Sequence, residues 1–248
     1  MLDVIMSSSC RSTIIRTLES FLKNVSYSGG YNFIVNIDVL NPGYLPVLMS
    51  YLKKRGIKNI RINTDLRKFD SAFTKVVTYL YGQVKTPFFF HLEDDWVFLK
   101  KIRLDPLVQL MENHSFIDHI RFSKERIKKK AWMYHLSDKV SDEYLVPNKQ
   151  MEIDGISLVQ TPTWSTNPSL VRSKVVKEFT SIPENMKLEK YICNNYPRMF
   201  PYQGTYIYGK VGDPRLVLDI GRNRIRERLR KIKYILRGGK YADYLFGD

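Results

Sequence analysis

The feature that most constrains this chain is an alternation of two hydrophobic periods through its first hundred residues. Short apolar runs at residues 3–6, 32–37, 57–62 and 88–92 have strand length and β-type composition. Between them, residues 11–24, 45–54 and 69–81 repeat apolar side chains at helical spacing, as with Ile14, Leu18, Phe21 and Leu22. Asn41-Pro42-Gly43 and Arg55-Gly56 punctuate the segments. Strand and helix alternating in this way predict an α/β fold built on parallel strands, because each crossover helix returns the chain to the same sheet edge.

In such sheets ligands bind beyond the carboxyl ends of the strands. The residues there are Ser7-Ser8-Ser9, Asp38, Asn63-Thr64-Asp65 and Glu93-Asp94-Asp95. Every end supplies hydroxyls or carboxylates. Residues 144–160 carry mixed, partly alternating character, 171–179 and 188–194 read as helical, and 205–208 as a last short strand. With no internal repeat, the expectation is one domain over 1–220, with a nucleotide-binding half (1–100) and an acceptor-binding half (101–220), followed by a basic tail at 221–248.

The net charge of +15 narrows the function classes only after it is located. Residues 221–240 hold nine Arg or Lys and a single Glu, more than half of the excess. The remainder is mildly basic, suited to a bound diphosphate rather than to a long nucleic-acid groove. In the tail, Ile225, Leu229, Ile232 and Leu236 recur at helical spacing among the basic residues. That pattern suits either an anionic membrane surface or docking on the protein's own core. Two cysteines without metal spacing, no basic leader before the first apolar run and no run long enough to span a bilayer lead to the expectation of a cytoplasmic protein, with the tail as a peripheral contact on the inner face of a membrane.

Three acids in succession at the end of a buried strand are electrostatically costly, since each raises the others' pKa and resists desolvation. A hard divalent cation, Mn2+ or Mg2+, removes that cost. A solvated acidic loop is the plain alternative. The opening turn, Ser7-Ser8-Ser9-Cys10-Arg11-Ser12, offers hydroxyls and amides to a nucleotide, although Ser9 or Ser12 as a simple helix cap accounts for one of them. It contains no glycine, which excludes dinucleotide-fingerprint dehydrogenases and P-loop nucleotide hydrolases.

Taken together, the Ser-Ser-Ser-Cys-Arg opening, Asp38, Glu93-Asp94-Asp95-Trp96 and the segment from Thr163 to Arg172 resemble glycosyltransferases of the GT-A fold, close to the family 2 type. That resemblance implies a Rossmann-like nucleotide-binding half and a mixed central sheet flanked by helices. It also implies transfer of a sugar from a nucleotide-diphosphate donor to an acceptor hydroxyl on a glycan, a lipid-linked molecule or a protein. On it, Ser7, Ser8 and Arg11 lie at the nucleotide, Asp38 at its base or ribose with Asp65 as a second candidate, and Asp94 at the donor ribose or sugar. Asp95 holds the metal against the diphosphate.

An inverting member needs a carboxylate base for the acceptor proton. The resemblance places it in the second half, where Glu189 is favoured and Glu184 stands second; a surface charge paired with Lys187 or Lys190 is the alternative. Where many members keep a metal-binding histidine near a late strand, this chain has Lys210, an ammonium able to pair with the diphosphate. Trp164 and Trp132 are candidates to stack on an acceptor sugar, or are buried aromatics. Residues 124–130 form a basic stretch, either a loop over the donor or a solvated face. His91, inside an apolar strand, reads as a hydrogen-bonded core residue. The competing class is a nucleic-acid-binding protein or metal-dependent nuclease, which charge and acids would also suit.

Overall fold

A computed structural model describes residues 1–64, 69–134, 143–161, 164–180, 182, 188–199 and 204–221. Asp65, Glu184, His135 and the tail beyond Gly221 therefore lie outside the described residues. The first half runs β1 (Leu2–Ser8), α1 (Thr13–Asn24), β2 (Val25–Ser26), β3 (Tyr31–Asp38), a 3-10 turn (Pro42–Tyr44), α2 (Leu45–Lys54), β4 (Asn59–Asn63), α3 (Phe69–Gln83), β5 (Phe88–Glu93) and β6 (Trp96–Phe98). The second runs β7 (Ile102–Arg103), α4 (Asp105–Asn113), β8 (Ile117–Arg121), β9 (Lys130–Tyr134), β10 (Glu143–Pro147), β11 (Lys149–Ile153), β12 (Ile156–Thr161) and β13 (Ser169–Arg172). It ends with α5 (Ser173–Lys177), α6 (Leu188–Met199), β14 (Gly204–Tyr208) and β15 (Val217–Asp219).

Nine strands form one sheet in the order β11-β12-β14-β8-β13-β5-β1-β3-β4. The neighbours β5, β1, β3 and β4 are all parallel, as the alternating periods require. β13 is antiparallel to both β5 and β8, and β14 runs parallel to β8. The result is an α/β sheet flanked by helices, mixed as the resemblance implies. Two details differ. Residues 169–172 form a strand before the helix opens at Ser173, because Leu170 and Val171 are held by ladders on both sides. A further strand, β15, follows the one expected to be last and pairs with β6.

The core has two layers. On one face α1 turns Ile14, Thr17, Leu18 and Phe21 inward, and Phe21 packs against Phe90 and Phe98 with ring centroids 5.1 and 5.4 Å apart. On the other, α3, α5 and α6 cover Ile5, Phe89 and Val171. Two hydroxyls of α1 also fix the strand that follows the acids. Thr17 Oγ1 accepts the Trp96 amide at 3.0 Å and Ser20 Oγ the Phe98 amide at 3.1 Å. The turn carrying Asp94 and Asp95 is thus anchored on both flanks, by β5 and by α1.

His91 is buried on β5, with Nδ1 3.3 Å from the Tyr81 hydroxyl, and burial pulls its pKa down to about 3. No helix among the described residues is long and apolar enough to cross a membrane.

Candidate active site

Parallel pairing brings the predicted strand ends to one edge. Ser7 stands opposite Glu93, and Asp38 opposite Asn63. Ser169 pairs with Arg121, so the entry into β13 and the exit from β8 share that edge.

Asp94 is consumed by the serine turn. Its Oδ2 accepts the Ser8 hydroxyl and the Ser9 amide, both at 2.8 Å, and its Oδ1 accepts Arg11 Nη2 at 2.8 Å. Ser8 Oγ in turn accepts the Cys10 amide at 3.2 Å, while Cys10 sits at φ 55°, a left-handed conformation rare without glycine. The serines therefore build the turn around a buried carboxylate. Capping contributes little, since Ser12 at the start of α1 makes no side-chain cap bond.

Asp95 is treated in the opposite way. Its Oδ1 is buried without a hydrogen-bond partner, and Oδ2 reaches Arg11 only at 3.6 Å. Burial foremost, then the charges of Asp94 and Asp219, push its pKa up to about 6 against the opposing pull of Arg11. Asp219 arrives through the β15–β6 pairing, where it stands opposite Trp96, and the Ile220 amide donates to the Asp95 carbonyl at 2.8 Å. Gly221 follows immediately. A Cβ there would lie 2.0 Å from Asp95 Oδ2, so only glycine lets the backbone pass. Sequence reading missed Asp219, although Leu216-Val217-Leu218-Asp219 is another apolar run closed by an acid.

No group of three or more His, Cys, Asp or Glu is gathered for a metal among the described residues, yet these two carboxylates are of the kind a hard divalent cation takes. They are oxygen donors, one of their oxygens is buried and unsatisfied, and their mutual repulsion is what a cation would relieve. Asp95 and Asp219 are the residues that would hold it.

Asp38, at the end of β3, accepts Asn63 Nδ2 at 2.9 Å and Asn36 Nδ2 at 3.1 Å. It is thereby fixed at the strand edge beside the serine turn.

Glu189, in the first turn of α6, is clamped by the segment that enters β13. Its Oε1 accepts the Thr166 amide at 2.8 Å, the Thr166 hydroxyl at 3.0 Å and the Ser165 hydroxyl at 3.2 Å. The side chains of Lys187 and Lys190, its alternative partners, lie outside the described residues. Charges that face it include Glu93 and Arg121. Burial pushes the Glu93 carboxyl up to about 8, with Asp95 adding to the rise and a Thr166 hydrogen bond opposing it. Arg121, brought down to about 10 by burial, donates to Thr161 Oγ1 at 3.2 Å. The strand-end rule that picked out Asp38 also applies to Arg121, which closes β8.

Trp164 is buried at 4% exposure. Its indole stacks on His119 with centroids 4.3 Å apart and leans on Tyr196 at 5.3 Å. The ring thus supports the Ser165-Thr166 clamp from the core. Lys210 lines a cavity with Lys100, Glu152 and Asp213, and its amide donates to Asp213 Oδ2 at 2.7 Å. The basic stretch after β8 is pinned by Ile127, which is buried and exchanges backbone hydrogen bonds with Gly212 and Asp213. The side chain of Trp132 lies outside the described residues.

No protein-family model matches the chain, and no curated protein matches it in sequence. Solved structures do share its fold. Residues 1–349 of S. aureus TarS superpose with a TM-score of 0.55 at 14% identity, covering 95% of this chain and 66% of that one. The same fragment in complex with UDP gives 0.53 at 14% identity, with coverages of 87% and 59%. The mannosyltransferase PcManGT from Pyrobaculum calidifontis, in complex with GDP-Man and Mn2+, gives 0.59 at 10% identity, with coverages of 94% and 60%. The chain therefore spans between 59% and 66% of those structures' length. At such identities the likeness is one of fold.

Proposed function

We propose that this chain is a metal-assisted glycosyltransferase that moves a sugar from a nucleotide diphosphate to an acceptor hydroxyl, with inversion at the sugar carbon. The observation that carries the reading is the contrast at the β5 edge. Asp94 is saturated with donors, while Asp95, one residue on, keeps a buried oxygen unsatisfied beside Asp219. The fold shared with the mannosyltransferase PcManGT in complex with GDP-Man and Mn2+, and with TarS in complex with UDP, supports it.

On this reading Asp95 and Asp219 hold Mn2+ or Mg2+. When bound, the ion neutralises charge developing on the leaving diphosphate. Arg11, held by Asp94 through one nitrogen, presents its remaining donors to the diphosphate. Ser7 and Ser8 line the nucleotide side. Asp38 accepts from the base or ribose, with Asp65 as a second candidate, and Asn63 steadies Asp38.

Glu189 takes the acceptor proton as the acceptor oxygen bonds to the sugar carbon and the bond from that carbon to the diphosphate oxygen breaks. Three donors on Oε1 fix its orientation and leave Oε2 as the oxygen that receives the proton. Glu184 is the second candidate for that role. The acceptor is a glycan, a lipid-linked molecule or a protein, and the basic tail offers a contact with an anionic membrane.

The test is a screen of UDP-, GDP- and dTDP-sugars for hydrolysis and transfer with Mn2+ and with Mg2+, comparing wild type with Asp95→Ala. Metal-dependent turnover of at least one donor, lost in a folded Asp95→Ala variant, is the expected outcome. Full activity in that variant would overturn the metal assignment.

A further inference from the structure

A cavity opens beside the β11–β12 turn and the end of β14, with a volume of about 590 Å3. Its lining includes Lys100, Glu152, Ser157, Tyr208, Asp213 and Leu216, and none of Ser8, Asp94, Asp95 or Glu189. The volume lies within the roughly 300–1,000 Å3 of small-molecule sites. Its walls are fixed in advance by backbone hydrogen bonds. The Gly209 amide donates to the Ser157 carbonyl at 3.0 Å, the Gly212 amide to Ile127 at 2.8 Å and the Leu99 amide to Leu216 at 2.9 Å. The Val211 amide adds a bond to Gln150 Oε1 at 3.0 Å.

The lining selects a class of ligand. Tyr208 gives an aromatic surface, steadied edge-on by Phe122 with centroids 6.1 Å apart, and Ile156 and Leu216 extend it. Around these stand two carboxylates, Glu152 and Asp213, and two ammonium groups, Lys100 and Lys210. Balanced charge gives a polyanion no net attraction, and a purely apolar ligand would strip water from all four charges without replacing its hydrogen bonds. A sugar suits both parts. Its C–H face covers the aromatic and aliphatic surface, while its hydroxyls donate to carboxylates and accept from ammonium groups.

The cavity is also tied to the acid pair by one short ribbon. Leu216 immediately precedes β15 and Asp219 ends it, a separation of three residues and therefore about 10 Å at the rise of a β-strand. Its antiparallel partner β6 likewise has Asp95 just before it and Lys100 just beyond it. A chain held in the cavity would have its neighbouring units at the site of transfer.

We infer that this cavity is a subsite for a saccharide segment of the acceptor, joined to the acid pair by the β15–β6 ribbon. The inference rests on the glycosyl-transfer reading for the word acceptor, and on the cavity alone for saccharide binding. Binding away from the reacting hydroxyl lowers the acceptor concentration needed without changing the chemistry.

The test applies fluorescently labelled full chain to an array of immobilised oligosaccharides, with Lys100→Ala/Glu152→Gln as the variant. Both residues are on the surface and neither belongs to the strand-end site. Wild type should bind a subset of the array, and the double variant should lose at least about tenfold in signal, some 1.4 kcal/mol, while hydrolysing nucleotide sugars as before. No binding by wild type, or equal binding by the variant, overturns the subsite. Saccharide binding without hydrolysis of any donor would instead contradict the transferase reading and leave the cavity's ligand class standing.

Discussion

Two stretches of this molecule handle carboxylates in contrasting ways. At the clamp between the entry to β13 and α6, Glu189 receives three donors on one oxygen. At the turn after β5, Asp94 receives three, and Asp95 keeps an oxygen with none. Donors are supplied where a carboxylate must be held in place. Where they are withheld, burial and neighbouring charge raise the pKa, as at Asp95. Adjacent acids of the same type thus differ only in their surroundings, one held by three donors and the other keeping a buried oxygen without one.

The sharpest break of that contrast is Asp95→Asn. It should lower nucleotide-sugar turnover by about 10³-fold, several kcal/mol of lost charge stabilisation, with thermal stability unchanged or raised because a repelled charge is gone. Asp94→Ala should cost stability as well as turnover, because Asp94 also holds Arg11 and Ser8. Leaving Ser8, the Ser9 amide and Arg11 without their acceptor should cost about 2–3 kcal/mol in urea unfolding, the lower side applying because Arg11 is half exposed.

Gly221→Ala probes the approach to Asp95. The added methyl cannot coexist with Oδ2 at 2.0 Å, so the carboxylate or the end of β15 must move. Turnover should fall by about 10²-fold, with Mn2+ affinity in calorimetry weakened in step. Unchanged metal affinity would show that the two groups part without consequence.

Thr166→Val keeps the shape of the clamp and removes one hydroxyl donor from Glu189. A loss of about 1 kcal/mol in urea unfolding is expected, with turnover falling because the Glu189 carboxylate is less firmly oriented. A Thr166→Ser variant should restore turnover. A purely structural role would lower stability and leave turnover per folded molecule where it was.

His91 gives an effect that appears only as pH changes and leaves turnover aside. Its folded pKa of about 3 lies below the ordinary value of 6.5, so the unfolded chain binds the extra proton between those limits. Its contribution is therefore complete above pH 6.5 and declines as pH falls toward 3, by up to about 1.4 kcal/mol per unit. Glu93 and Asp95, with raised pKa values, titrate in the opposite sense. The measurement is consequently a difference, and the stability gap between wild type and His91→Gln should shrink on acidification from pH 7 to 4.5.

The parallel half was legible because its order follows from local periods. Ser7, Asp38 and Glu93 could be placed at one edge once the strands were taken as parallel. Nothing local announced that residues 169–172 would be inserted antiparallel between β5 and β8, since Ser169-Leu170-Val171-Arg172 leads straight into a helical pattern. Thr166 and Ser165 were within a segment already singled out, yet their role depends on α6 approaching from more than twenty residues away. Trp164 stood in the same segment as a candidate stacking surface, and it is the packing against His119 that accounts for its burial.

By itself, the sequence determined that this is an α/β chain with polar strand ends and a run of acids on a buried strand, because apolar spacing and like-charge repulsion are properties of neighbours along the chain. Tertiary structure alone decided which acid is satisfied and which is left wanting. Asp219 and Gly221 reach Asp95 through a pairing of strands more than a hundred residues apart, and desolvation depends on what surrounds a group in space.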